Sequence, residues 1–194
     1  HEFVVYYQPI VDAFSNDIYG YEALIRWIHP QKGILSPDYF ISVAEKTGMI
    51  NEIGKNVLEL ACREAVSWAV PARISVNVSP VQLGTKSFTA MVLSILKETG
   101  LPANRLELEV TESSLFSDSN TPVTILKKLR SLGVRISIDD FGTGYSSLSR
   151  LSELNFDKIK IDKSFVNPIS TQDEALNIVK LIAGMAKSLN MRVI

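Results

Sequence analysis

The sequence is poor in the residues that build disulfide frameworks and zinc sites. Its 194 residues include one cysteine and two histidines, and no His-rich zinc spacing occurs. Cys62 lies in the apolar helical stripe Leu58-Glu59-Leu60-Ala61-Cys62, so we predict that it is buried as a small hydrophobic residue. A chain without disulfides is typical of a reducing compartment.

The sequence also lacks an excess of either charge. It has 20 lysines and arginines against 21 acidic residues, which does not indicate binding to DNA, RNA or an anionic membrane surface. We find no signal peptide, no apolar run long enough to cross a bilayer, no P-loop and no dinucleotide glycine fingerprint. We therefore expect a cytoplasmic globular domain, although the parent protein could be anchored in a membrane.

Apolar runs and turn residues predict two adjacent strands, followed by strands that alternate with helices. The first two strands, 4–11 and 18–27, are joined by a connection too short for a crossover, so we expect them to be antiparallel. The alternation indicates a parallel α/β sheet, and a barrel is favoured over an open doubly wound sheet. The later predicted strands are 73–78, 105–110, 134–138, 158–161 and 191–194, and the predicted helices are 36–48, 51–69, 87–99, 122–132, 146–154 and 173–189.

Two adjacent carboxylates, Asp139 and Asp140, follow the predicted strand 134–138. Side chains alternate along a strand, so both can reach one pocket only where the chain bends away. Two carboxylates this close repel each other unless a cation, a proton or a base lies between them, and Mg²⁺ prefers oxygen ligands of this kind. The alternative interpretation is a solvated acidic turn.

Further polar residues lie at or near the ends of other strands. The active sites of barrels of this type are found at the carboxyl ends of the strands. Each residue has an ordinary alternative, such as a turn cap, an edge charge or a lysine that reaches solvent. Together with the two aspartates they predict a two-cation site that hydrolyses phosphate esters. The four residues are Glu22, Asn77, Glu109 and Lys160.

An ordered set of motifs supports this interpretation over nearly the whole chain. The motifs are Tyr7-Gln8-Pro9-Ile10, Glu22-Ala23-Leu24-Ile25-Arg26-Trp27, Asn77-Val78-Ser79-Pro80, Glu109-Val110-Thr111-Glu112, Asp139-Asp140-Phe141-Gly142-Thr143-Gly144-Tyr145-Ser146-Ser147 and Lys160-Ile161-Asp162-Lys163-Ser164-Phe165-Val166. In this order they resemble the EAL family of cyclic di-GMP phosphodiesterases.

The resemblance implies a modified TIM (β/α)8 barrel whose first strand is antiparallel. It also implies hydrolysis of cyclic di-GMP to linear 5'-pGpG with two Mg²⁺ or Mn²⁺ ions. The metal ligands that it implies are Glu22, Asn77, Glu109 and Asp139 for one ion, with Asp139 and Asp140 for the second. Lys160 would orient or polarise the attacking water, and Glu22 and Asp140 complete the catalytic set that it implies.

The resemblance further implies residues that bind the substrate or hold the site together. Gln8, Leu24, Arg26 and Asp162 are the expected substrate contacts, with Arg26 suited to phosphate by its donor fork. Glu112 is expected to anchor the loop 141–147, where the alternative is a helix charge that faces water. A homodimer and fused GGDEF or sensory domains are the expected partners besides cyclic di-GMP.

The family pattern continues beyond the strand 191–194 into segments that supply a further metal ligand. We therefore expect residues 1–194 to form a single EAL domain that is C-terminally incomplete and lacks its last strand or strands and a helix. Two alternatives to the enzyme remain, a cyclic di-GMP sensor without catalysis and a protein-interaction domain. Sensors of this family usually lose several metal ligands, whereas this chain keeps every ligand that it is long enough to show.

Overall fold

The computed structural model of the chain describes residues 2–115, 120–142, 151 and 153–194. The strands are β1 (Phe3–Val11), β2 (Ile18–His29), β3 (Gly33–Leu35), β4 (Arg73–Val78), β5 (Leu106–Thr111), β6 (Arg135–Phe141), β7 (Lys158–Ile161) and β8 (Arg192–Val193). The helices are α1 (Ile41–Thr47), α2 (Ile50–Ser67), α3 (Pro80–Leu83), α4 (Phe88–Thr99), α5 (Thr121–Ser131), α6 (Lys163–Val166) and α7 (Asp173–Ser188). Short 3-10 helices cover Pro37–Tyr39, Ala103–Arg105 and Glu112–Leu115.

The strands form one mixed sheet in the order β1-β2-β4-β5-β6-β7-β8. β1 is antiparallel to β2, and every later neighbour along this order is parallel. The short β3 extends the end of β2 as an antiparallel hairpin. The predicted α/β architecture with an antiparallel first strand is therefore confirmed. Among the described residues no pairing joins β1 to β8, so the sheet is not closed.

The apolar core lies between the sheet and the helices that cover it. Helix α2 buries one face, because its apolar residues recur at the spacing of helical turns. Cys62 belongs to this face with no exposed surface, which confirms the prediction for the single cysteine, and burial raises the pKa of its thiol to about 12. Beyond the end of α2, Trp68 packs on the ring of Tyr21 at a centroid distance of 4.6 Å.

Residue faces alternate along the central strands as the pleat requires. In β5, Leu106, Leu108 and Val110 are buried in the apolar core, whereas Glu107 and Glu109 lie on the opposite face. The parallel register places Ser75 beside Glu107 and continues this face from strand to strand. The inner side of the sheet is consequently lined by polar and charged residues.

Several element boundaries differ from the predicted ones. Strand β6 continues to Phe141 instead of ending at 138, and β2 continues to His29. The hairpin strand β3 and the four-residue helices α3 and α6 were not predicted, because elements this short give almost no periodic signal. Most of the predicted helix 146–154 and the loop residues 143–147 lie outside the described residues. No helix in the described ranges is both long and apolar enough to cross a membrane.

Gly20 permits close approach of β2 and β4, and this predicts a stability difference between two glycine positions. A Cβ added at Gly20 would lie 2.9 Å from the backbone oxygen of Arg73. We expect Gly20→Ala to lower the free energy of unfolding by about 1–3 kcal/mol, because rigid backbone cannot give way.

The matched control is Gly184→Ala on the exposed surface of α7, where no described atom lies within 4 Å of an added Cβ. This change should raise the free energy of unfolding by about 0.5–1 kcal/mol through the helix propensity of alanine. Urea unfolding followed by circular dichroism measures both variants. Equal effects of the two changes would show that contact with Arg73 does not limit the packing.

Candidate functional site

A cavity of about 600 Å³ opens beside the carboxyl ends of the central strands. One wall is formed by helix α1 and by the segment that enters α3. Ser79 caps α3 through a capping box, and its hydroxyl donates to Glu45 Oε1 of α1 at 2.6 Å. This bond holds the two parts of the wall together. Predicted site residues that line the cavity are Leu24, Asn77, Glu109, Asp139 and Asp140.

Three carboxylates from three strands converge at this position. Glu22 of β2, Glu109 of β5 and Asp139 of β6 each offer one oxygen, and these atoms lie within 4.8 Å of one another. The Nδ2 of Asn77 donates to Glu22 Oε1 at 2.8 Å, so the amide of β4 joins the same group. Burial, followed by the charge of Glu109, raises the pKa of Glu22 above its ordinary value. The group therefore offers several oxygen atoms to a cation, and its carboxylates repel one another.

The ammonium group of Lys160 reaches all three carboxylates from β7. Its Nζ lies 2.6 Å from Glu109 Oε2, 3.1 Å from Glu22 Oε2 and 3.2 Å from Asp139 Oδ2. Burial alone would lower the pKa of Lys160, but the surrounding carboxylates outweigh it and raise this pKa. Lys160 is thus a fixed cation within the acidic group.

The two adjacent aspartates reach the cavity through an irregularity in β6. The pairing of β6 with β7 shifts register between Ile138 and Phe141, and Asp140 adopts the left-handed backbone conformation with φ 53°. The acids therefore do not follow the end of a strand, as predicted, but interrupt one. A bulge of this kind redirects the side chains next to a site. Burial, followed by the charges of Asp139 and Asp162, raises the pKa of Asp140.

The depth of Glu109 also differs from the prediction. Strand β5 continues two residues beyond it, and Glu109 is only 1% exposed. It is a buried residue beneath the rim of the cavity instead of a residue at the strand end. Burial alone would raise the pKa of Glu109, but Lys160 and Lys158 outweigh it and hold this pKa below its ordinary value.

The sequence interpretation missed a second charged layer under the carboxylates. Lys158 is completely buried, forms an ion pair with Glu107, and its Nζ lies 3.0 Å from Glu109 Oε1. Ser75 Oγ donates to Glu107 Oε1 at 2.9 Å. A signal for this layer was present, because Glu107 and Lys158 each lie two residues before a predicted site residue and therefore share its face.

Comparison with known proteins identifies the family. The family model of the EAL domain matches residues 1–194. The chain belongs to the EAL domain family. An uncharacterized signaling protein of Caulobacter vibrioides is 48% identical over 194 residues, which cover 100% of this chain and 24% of that protein.

Two further proteins to which the chain is similar carry functional names. The cyclic di-GMP phosphodiesterase NbdA of Pseudomonas aeruginosa is 41% identical over 194 residues, which cover 98% of this chain and 25% of that protein. A solved complex of the PaMucR phosphodiesterase with c-di-GMP has a TM-score of 0.93 and 39% identity, over 99% of this chain and 79% of that chain. The chain spans about a quarter of the length of the curated relatives that it matches.

The EAL signature lies on β2, with Glu22 in the acidic group and Leu24 at the cavity. Arg26 shares their face, and its guanidinium lies 5.7 Å from the ring centroid of Tyr6. Its Nη1 donates to the backbone oxygen of Ile25 at 2.8 Å. Gln8 is the exposed cross-strand partner of Glu22. Asp162 caps α6 by accepting from the Ser164 amide at 2.9 Å.

The donor set of this EAL domain fits a hard divalent cation. Carboxylate oxygens dominate it, and the amide of Asn77 supplies a further oxygen while its nitrogen donates to Glu22. Mg²⁺, Mn²⁺ and Ca²⁺ all prefer such oxygen ligands. The carboxylates of Glu22, Glu107, Glu109 and Asp139 outnumber the two ammonium groups of Lys158 and Lys160, so the described cluster keeps an excess of negative charge.

Glu112 lies against the beginning of the loop that follows the two aspartates. It is 3% exposed, and the backbone N–H of Gly142 donates to its Oε2 at 3.3 Å. The alternative interpretation, a charge that faces water, does not agree with this burial. Residues 143–147 of the loop lie outside the described residues, so the anchoring role of Glu112 stays a prediction.

We predict that Glu112→Ala weakens binding of Mn²⁺ by about tenfold while the fold survives, as is found when outer partners of metal ligands are removed. The reason is that Gly142, two residues after Asp140, loses a carboxylate acceptor. Isothermal titration calorimetry with Mn²⁺ and circular dichroism provide the measurement.

The control for this variant is Glu98→Ala, which removes an exposed glutamate on α4. It should bind Mn²⁺ like the wild type. A folded Glu112→Ala variant with unchanged Mn²⁺ affinity would contradict the anchoring role.

Proposed function

We propose that the protein to which this chain belongs hydrolyses one phosphodiester bond of cyclic di-GMP and releases linear 5'-pGpG. Its membership of the EAL family, together with the names of NbdA and of the PaMucR complex, supports this substrate. The observation that carries the proposal is the convergence of Glu22, Glu109 and Asp139 around Lys160 beside a cavity. The cavity volume lies within the range of small-molecule sites.

In this proposal two divalent ions, Mg²⁺ or Mn²⁺, bind the acidic group. Glu22, Asn77, Glu109 and Asp139 would hold the first ion, and Asp139 with Asp140 would hold the second. When bound, ions at such a site activate water for attack on phosphorus and stabilise the leaving oxygen. The positions of both aspartates beside the same cavity support a shared role.

The chain's own residues orient the reactants. Water attacks phosphorus, the bond from phosphorus to the ribose 3' oxygen breaks, and a proton from the water passes to that oxygen. Lys160 has three N–H donors and no acceptor, so its contribution is to orient and polarise the water. Glu22, which forms an ion pair with Lys160 at 3.1 Å, and Asp140 would complete the proposed catalytic set.

Substrate contacts in the proposal come from β1, β2 and the residues before α6. The guanidinium of Arg26 presents a donor fork that matches phosphate oxygens. Gln8, opposite Glu22, would contact the guanine side, and Leu24 would form an apolar part of the cavity wall. Asp162, whose charge contributes to the raised pKa of Asp140, would contact the substrate near Asp140.

The activity and partners of the whole protein belong to the same proposal, since the relatives are about four times as long as this chain. We propose a cytoplasmic catalytic domain that forms homodimers and is joined to GGDEF or sensory domains. MucR of Pseudomonas aeruginosa is named as a bifunctional diguanylate cyclase and phosphodiesterase, which supports such a fusion. Light scattering during size-exclusion chromatography measures the oligomeric state.

The direct test is incubation of the protein with cyclic di-GMP and Mg²⁺ or Mn²⁺, with chromatography of the products. We expect metal-dependent formation of pGpG that stops when a chelator removes the ions. Binding of cyclic di-GMP without turnover at any metal concentration would instead favour a sensor.

Within this mechanism, Asp140→Asn should lower kcat by about 10²-fold, which is typical for the loss of one group that stabilises a transition state. The dissociation constant for cyclic di-GMP should change little, because Arg26 and the proposed ligands of the first ion remain. Steady-state kinetics and calorimetry with the substrate measure these two effects separately.

Asp38→Asn is the matched control, since Asp38 is an exposed aspartate that lines the same cavity and has no role in the proposed mechanism. It should retain wild-type kcat. Loss of substrate binding in Asp140→Asn with unchanged metal occupancy would show that the proposed role is wrong.

A further inference from the structure

A second ion network lies directly beneath the proposed metal ligands. Its centre is Lys158 of β7, whose ammonium group contacts Glu107 and Glu109 of β5 and lies 3.4 Å from Ser75 Oγ of β4. All four side chains are at most 2% exposed. Side chains from three strands therefore meet on the inner face of the sheet, almost completely shielded from bulk water.

The two oxygens of Glu109 are divided between two lysines. Lys158 binds Oε1 at 3.0 Å and Lys160 binds Oε2 at 2.6 Å. Because the lysines lie two residues apart on one strand, their spacing is set by the backbone of β7. The carboxylate plane of Glu109 cannot rotate without loss of at least one of these charged hydrogen bonds.

Charges at this depth need a physical reason. Burial removes water from each ion, and an apolar side chain of similar volume often fills such a position at lower cost. Glu107 and Lys158 could be replaced together without leaving either charge unpaired. Replacement of both residues would, however, remove the contact between Lys158 and Glu109, the residue that lines the cavity.

Lys158 is itself held from the opposite side. Glu107 forms an ion pair with it, and Ser75 Oγ donates to Glu107 Oε1. Outer partners that orient metal ligands commonly contribute a large part of metal affinity, although they never touch the ion. Ser75, Glu107 and Lys158 are outer partners of this kind, and the proposed metal ligand that they would orient is Glu109.

We propose that Lys158 is a positioning residue for the metal site: it holds Glu109 Oε1 and thereby sets the orientation in which Glu109 Oε2 faces Glu22 and Asp139. Glu107 and Ser75 hold Lys158 in turn. This inference rests on the metal site of the proposed function and deepens it. It does not depend on which phosphate ester is hydrolysed.

The decisive variant is the double change Lys158→Met with Glu107→Leu, which removes both buried charges of the lower layer. We expect this protein to fold and to melt cooperatively, while its Mn²⁺ affinity falls by about 10–100-fold. Calorimetric titration with Mn²⁺ and thermal melting are the two readouts, and neither requires turnover. Lys158→Met alone removes a positive charge from beside two buried carboxylates, Glu107 and Glu109. This single variant is therefore more sensitive to misfolding than the double variant.

Two comparisons isolate Lys158 from general disturbance of the interior. Glu107→Leu alone keeps the contact of Lys158 with Glu109, so we expect its Mn²⁺ affinity to exceed that of the double variant by at least about tenfold. Ser137→Ala changes the residue that pairs in register with both Glu109 and Lys158, and its hydroxyl has no hydrogen-bond partner among the described residues. Ser137→Ala should bind Mn²⁺ like the wild type.

The results separate this inference from the proposed function. A folded double variant with wild-type Mn²⁺ affinity overturns the role of Lys158, even if the wild type cleaves cyclic di-GMP. Weaker Mn²⁺ binding in the double variant supports that role, even if the wild type binds cyclic di-GMP without cleaving it. A wild type that does not bind Mn²⁺ overturns both the proposed metal site and the role of Lys158.

Discussion

The burial of the Glu109 carboxylate is the constraint on which the rest of this site depends. An ionised carboxylate away from water needs compensating charge and hydrogen bonds. Lys158 and Lys160 supply both, one at each oxygen, and hold the pKa of Glu109 below its ordinary value. Among the described residues, Glu107 forms an ion pair with Lys158, and Glu22 and Asp139 each form one with Lys160, so the two charged layers are connected through Glu109.

The fold accommodates this charged network because one face of the central strands is apolar and the other is polar. In β5 the residues on one face are aliphatic and pack in the core under α2, α4 and α5. The opposite face carries Glu107 and Glu109, and the parallel register brings Ser75, Asn77 and Lys158 to the same side. Stability and chemistry are thus separated by the two-residue period of the strand.

On the cavity side, an irregular strand brings two adjacent acidic residues of this EAL domain to one site. The register shift in β6 and the left-handed conformation of Asp140 direct two consecutive side chains to one cavity. The buried Glu112 meets the chain immediately afterwards through the amide of Gly142. A regular strand would have placed Asp139 and Asp140 on opposite faces, so the irregularity is what allows them to act together.

The sequence by itself determined the alternation of strands and helices, the antiparallel first pair, the burial of Cys62 and most residues of the acidic group, because apolar periodicity and ordered motifs are local signals. The tertiary structure alone decided that Glu109 is buried, that β6 is interrupted at the two aspartates, and that Lys158 contacts a residue 49 positions away. The period of a strand identifies which face a side chain occupies, but it carries no information about depth or about the partner across the sheet. Both follow from the register of strands that are distant in sequence, and this register forms only when the sheet is assembled.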